Sequence, residues 1–147
     1  MRTLSHVVGL SALAACLFSA PLAFSETETG SHGVYVDHRG DGAIELVSCD
    51  GKLCGQVVWI REGAPAEACG LAVIGNVAPV SKNVWDGGWI LDPEVGEKFD
   101  VELTKLDSGE LQVVGYLGTK MLSETYLWKK APENLPRCRA IKEAAKR

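Results

Sequence analysis

Between residues 33 and 130 the chain is broken into short apolar runs by turn residues that recur about every ten positions, the spacing of an all-β domain. The clearest run covers residues 98–104, where Phe99, Val101 and Leu103 alternate with Lys98, Asp100, Glu102 and Thr104. A period of two places the apolar set on one face of an extended strand, which a helical period would not do. Asp50-Gly51 lies between two apolar runs and is a strong hairpin signal. Further turns are marked by residues 38–42, by Asp92-Pro93, by Asp107-Ser108-Gly109 and by Gly118. The pattern predicts strands over residues 33–37, 43–49, 54–61, 98–104, 111–116 and 122–130. In the third, Val57 and Trp59 face one way, and Gln56, Val58 and Ile60 the other. Residues 71–74 read as a weak strand or turn, and Asp86-Gly87-Gly88 as a turn between short strands at 84–85 and 89–91. Seven or eight strands joined by short turns make an antiparallel meander, and closure into a small up-and-down β-barrel removes its edges. A two-sheet sandwich is the alternative. Only residues 136–147 read as a helical tail.

Ahead of this domain, Arg2 precedes an almost unbroken apolar stretch over residues 7–24, the pattern of a secretory signal rather than a spanning helix. Ala23-Phe24-Ser25 predicts cleavage before Glu26, leaving a flexible start over residues 26–32. Leu13-Ala14-Ala15-Cys16 also resembles a lipoprotein box, which would leave Cys16 acylated. The mature chain, with no transmembrane segment, then carries 14 Lys and Arg against 19 Asp and Glu, a net charge of −5. The tail from 137 to 147 holds +4 of it within a basic segment over 131–147, so the body carries −9. No basic stripe crosses the body, and that argues against a nucleic-acid partner. A periplasmic or secreted location follows.

Four cysteines remain after the leader, an even count that reads as disulfides in an exported chain. Three pairings are possible. If residues 50–53 form a four-residue loop, Cys49 and Cys54 oppose each other at its mouth, and Cys69 and Cys138 are left to pair. Loop-closure entropy makes the short link worth about 2 kcal/mol and the long one roughly 4 kcal/mol. A metal site is the rival reading, but C-x4-C has no matching second pair, and His32 and His38 sit elsewhere.

No catalytic signature is present: no nucleophile elbow, no His-Glu-x-x-His, no phosphate loop. Nothing implies a cofactor. Glu124 shares a strand face with Leu122, Tyr126 and Trp128, so its carboxylate is either buried inside a barrel or sits at its rim. Aromatic residues on predicted strands are the best handle, because small barrels are either filled by side chains or hold one small ligand.

The runs Gly33-Val34-Tyr35, residues 43–49 and Leu53-Cys54-Gly55-Gln56-Val57-Val58-Trp59 resemble the start of the bacterial domain of unknown function 2147 family (DUF2147). So do Trp85-Asp86-Gly87-Gly88-Trp89-Ile90-Leu91-Asp92-Pro93, residues 111–118 and Thr125-Tyr126-Leu127-Trp128-Lys129. The resemblance spans residues 33–130. Tyr35 stands where a Trp is expected, and the loop between Arg61 and Cys69 is shorter than in relatives. Any site carried by that longer loop would be absent here. The resemblance implies an exported small β-barrel and transfers no activity.

These readings converge on a lipocalin-like barrel that binds a small apolar ligand or a cell-envelope partner without catalysis. Trp59, Trp89, Tyr116, Glu124, Tyr126 and Trp128 are the candidate ligand-binding residues, and no metal is expected. Two other readings stand beside it: a filled barrel acting through its surface, and a hydrolase with Glu124 or an Asp in the barrel mouth.

Overall fold

A computed structural model describes residues 31–138. The leader and the residues beyond 138, where most of the expected helical tail falls, lie outside the described residues. Pro136 and Arg137 are not helical, and no α-helix is among the described elements. No helix among them is long and apolar enough to cross a membrane.

Eight strands follow in order: β1 (Ser31–Val36), β2 (Gly42–Cys49), β3 (Lys52–Ile60), β4 (Ala72–Ser81), β5 (Val84–Asp92), β6 (Glu97–Lys105), β7 (Leu111–Leu117) and β8 (Thr119–Lys130). Each pairs antiparallel with the next, and β8 returns to β1, closing the barrel. The closure is slight: Tyr35 with Lys130 and Val36 with Lys129 are its strand pairs. Because the strands alternate in direction, residues 37–41, 61–71, 93–96 and 118 gather at one end, the mouth. The turns at 50–51, 82–83 and 106–110 close the other end, where the His32 ring meets Trp85 edge-on at 5.9 Å.

The β2–β3 turn is shorter than expected. Cys49 pairs with Lys52, so Asp50 and Gly51 form a two-residue loop, and both have positive φ. Such a turn matches the twist of the strands it joins. The Cys49–Cys54 disulfide therefore runs diagonally, since Cys54 sits opposite Val47. The second bond joins Cys69 to Cys138, as hairpin reasoning anticipated.

Bulges account for the other corrections. An irregularity between Ala43 and Ile44 adds Val58 to β3, so Ile60 packs against the core where strict alternation would have put Trp59. The expected weak strand or turn at 71–74 is instead, from Ala72 on, the start of a ten-residue strand, β4, whose alternation is broken because Val73, Ile74, Gly75 and Val77 are all buried. Asp86-Gly87-Gly88 is no turn; it is a bulge inside β5. Gly88 lies so close to β4 that an added Cβ would stand 2.3 Å from the Gly75 carbonyl oxygen, which only glycine permits.

The core fills the barrel. Nine large side chains, among them Tyr35, Leu46, Leu53, Ile74, Leu103 and Leu111, each expose less than 2% of their surface. A void wide enough for water would leave accessible area on the side chains lining it, so this part of the interior is packed.

Candidate functional site at the barrel mouth

Alternation along β7 and β8 runs undisturbed from the core to the mouth. Leu111, Val113 and Gly115 face inward, paired with Trp128, Tyr126 and Glu124. Leu111, Val113 and Trp128 are buried, Tyr126 is half-buried and Glu124 is exposed. The strand thus leaves the core and ends on a carboxylate at the rim. Gly115 decides what lies between: a Cβ built there meets nothing within 4 Å. The mouth therefore holds an open cup beside β7, with Tyr126, Glu124 and the half-buried Phe99 and Ile90 on inward-facing positions around it.

The β1–β2 loop leans over this cup. The Asp37 carboxylate accepts hydrogen bonds from the backbone N–H of Arg39, Asp41 and Gly42 at 2.8–3.0 Å, which fixes the loop. His38 is thereby stacked on the Tyr126 ring, centroids 4.1 Å apart and planes 22° apart. Arg39 reaches Glu94 in the β5–β6 turn, bridging loops at the mouth. The Tyr126 hydroxyl donates to Glu124, and that bond raises the phenol's pKa, with burial adding to it. Chemically the cup offers an apolar wall, one carboxylate, one phenol, one imidazole and a nearby guanidinium. No nucleophile–base pair is assembled there, and among the described residues no cluster of His, Cys, Asp or Glu could hold a metal ion.

Of the six candidate residues, Glu124 and Tyr126 stand at the mouth and are bonded to each other. Trp128 is 5% exposed core, and its indole N–H has no hydrogen-bond partner among the described residues. The other three stand on the outer face. Trp59 pairs with Ala43, on the side opposite Ile60. Trp89 lies over Gly75, and the Lys98 ammonium sits 3.7 Å from its ring centroid. Tyr116 donates to Asp86 at 2.6 Å. Sequence reasoning missed Gly115, whose signal was a glycine at an inward position of an alternating strand. It read His38 as an exposed histidine near a turn, which it is, but no periodicity could place its ring on Tyr126.

The outer face of β5–β7 carries its own polar network. Asp86, projected by the bulge, accepts from Tyr116 and from Lys120 at 2.7 Å, and Lys120 also bonds Glu102. Burial alone would raise the Asp86 pKa, but bonds from Lys120, Tyr116 and the Gly87 amide bring it below the usual value. The same hydrogen bond to Asp86, helped by burial, pushes Tyr116 up to about 12.

A family model described as an uncharacterized protein conserved in bacteria, DUF2147, matches residues 33–130, the whole barrel. The chain belongs to the DUF2147 family. No curated protein sequence matches it. Among solved structures it is similar to protein HP1028 of Helicobacter pylori, which belongs to the lipocalin family, at 16% identity and a TM-score of 0.62. That likeness covers 77% of this chain and 87% of the other and shows a shared barrel fold. In this DUF2147 member the Trp-Asp-Gly-Gly-Trp motif has a structural reading: a bulge that aims Asp86 outward and lets Trp89 lie flat on Gly75.

Proposed function

We propose that this DUF2147 protein is exported to the cell envelope, where it binds a small amphiphilic molecule in the shallow cup at the barrel mouth, without catalysis. The observation that carries the reading is the empty space at Gly115, bounded by an apolar strand below and by Glu124 and Tyr126 at the rim. A ligand of this class has an apolar body for the wall and a hydrogen-bonding head for the carboxylate and phenol. Burying only part of the ligand limits its affinity, because buried apolar area contributes about 25 cal/mol per Å². The lipocalin-like fold is compatible with such a role, and the apolar leader supports export.

The test is native mass spectrometry of the protein recovered from an expressing bacterium, followed by displacement of a fluorescent fatty-acid analogue. A co-purifying small mass, or saturable one-to-one displacement, supports the cup. A bare mass with no dye uptake favours the second reading, a filled barrel acting through its surface, for which the dry core is the supporting observation. The same spectrum reads the N-terminus: cleavage before Glu26 supports simple secretion, and an acylated Cys16 supports lipoprotein anchoring.

A further inference from the structure

The polar groups around the cup present acceptors, while their donors are already engaged. The Tyr126 hydroxyl donates its one proton to Glu124 Oε2, and that bond raises the phenol's pKa, so the proton stays in place at neutral pH. Toward any other molecule the phenol oxygen therefore offers lone pairs only. Glu124 is exposed, and its second oxygen, Oε1, accepts no hydrogen bond from the described residues. A carboxylate has about four lone-pair sites, so a single phenol leaves most of them to water. The His38 ring lies nearly parallel to the phenol ring, so its ring N–H bonds run alongside that ring and not into it.

Charge follows the same pattern. The mouth loops carry Asp37, Asp41, Glu62, Glu67 and Glu94 against Arg39 and Arg61. Both arginines are already bonded to carboxylates: Arg61 to Asp41 at 2.8 Å, and Arg39 to Glu94, with Asp41 at 3.6 Å. Beside the cup, Asp92 acts on the Tyr126 hydroxyl through space in the same sense as Glu124, and Arg39 opposes them. A negative head group has to break the Arg39–Glu94 pair to reach a cation. A positive one meets unengaged lone pairs at once.

We propose that the cup selects an amphiphile whose head is a cationic N–H donor, a primary or secondary ammonium, over one whose head is a carboxylate. The proposal rests on the reading of the cup as a ligand site and names the class of ligand it takes. Gly115 pairs directly with Glu124 across β7 and β8, so the open space and the carboxylate are neighbours. The ammonium donates to Glu124 Oε1 and to the Tyr126 oxygen, and the alkyl body lies along the wall near Ile90 and Phe99. Hydrogen bonds between ionised partners are stronger than neutral ones, and the negative mouth raises the local concentration of cations. Because Glu124 stands at the exposed rim, solvent screening keeps the preference modest.

Isothermal titration calorimetry at neutral pH tests the head group, with decylamine and decanoate, which share one alkyl chain, each kept below its micelle concentration. Decylamine should bind the wild type about tenfold more tightly than decanoate, the size of one hydrogen bond to a charged group. Glu124→Gln should bring the two affinities together by weakening decylamine, and Gly115→Leu should weaken both ligands alike. Displacement of the fluorescent fatty-acid analogue by the same two compounds should give the same order. Decanoate binding the wild type as tightly as decylamine, with both lost in Gly115→Leu, overturns the head-group assignment and leaves the cup standing. A preference for decylamine that survives in Glu124→Gln overturns it as well. Neither compound binding the wild type overturns the cup, and the head-group assignment with it.

Discussion

Gly55 on β3 and Gly115 on β7 both point into the barrel, yet their surroundings differ completely. A methyl group added at Gly55 would meet Ile44, Ile74 and Leu46 at 3.0–3.1 Å; one added at Gly115 would meet nothing within 4 Å. The two walls differ outside as well. Both disulfides belong to the β2–β3 side, and residues 131–137 cross its outer face, where Arg137 bonds Glu45 through both nitrogens at 2.6 and 3.0 Å. That strap leaves a cleft of about 230 Å³ against Val34 and Val58, the second of which it helps bury. The β7–β8 side has no staple, ends in exposed Met121 and Leu122, and holds the cup. One wall is packed and stapled and the other is left with open space, a contrast of the kind that makes local stability uneven across a fold.

Removing the Cys69–Cys138 bond should have the largest effect, because it closes a 69-residue separation that pins the strap. Loop-closure entropy puts the loss in the double Cys→Ala variant at roughly 4 kcal/mol, read from urea unfolding. Gly55→Ala should cost about 1–3 kcal/mol in the same assay, the usual penalty for overfilling a packed core. Asp86→Asn should cost about 1 kcal/mol by weakening the bonds from Tyr116 and Lys120 on the open wall. Gly115→Ala should change stability by less than about 1 kcal/mol and in the stabilising direction, since alanine narrows the unfolded ensemble without meeting a neighbour.

The outer network also has a pH signature. Asp86 is held below its ordinary pKa, so its contribution is present above about pH 4 and is lost as pH falls through the folded value. Tyr116 is held above its ordinary value, so its contribution is present below about pH 10 and is lost as pH rises toward about 12. Thermal melts of the wild type should weaken at both ends, and Asp86→Asn should flatten both limbs.

The sequence was most legible where the two-residue period held. Phe99, Val101 and Leu103 on β6 and Leu111 and Val113 on β7 announced a strand and an inward face, and both are as read. Legibility failed at bulges. Val58 reversed the expected facing of Trp59, and the Gly75-Asn76 break hid the length of β4. Asp86-Gly87-Gly88 carries turn chemistry yet continues a strand, because its neighbour β4 is irregular at the same height. A local signal cannot report that match between two strands. The mouth was half legible: Glu124 and Tyr126 followed from the face they share with Trp128, whereas Arg39, Glu94 and His38 meet through loops far apart in sequence.

The cup itself is tested most directly by Gly115→Leu, titrated with the fluorescent fatty-acid analogue and melted in parallel with the wild type. Saturable uptake by the wild type, lost in the variant with melting unchanged, is the result predicted. Equal uptake by both proteins, or a variant that melts as low as Gly55→Ala, would contradict an open space at Gly115.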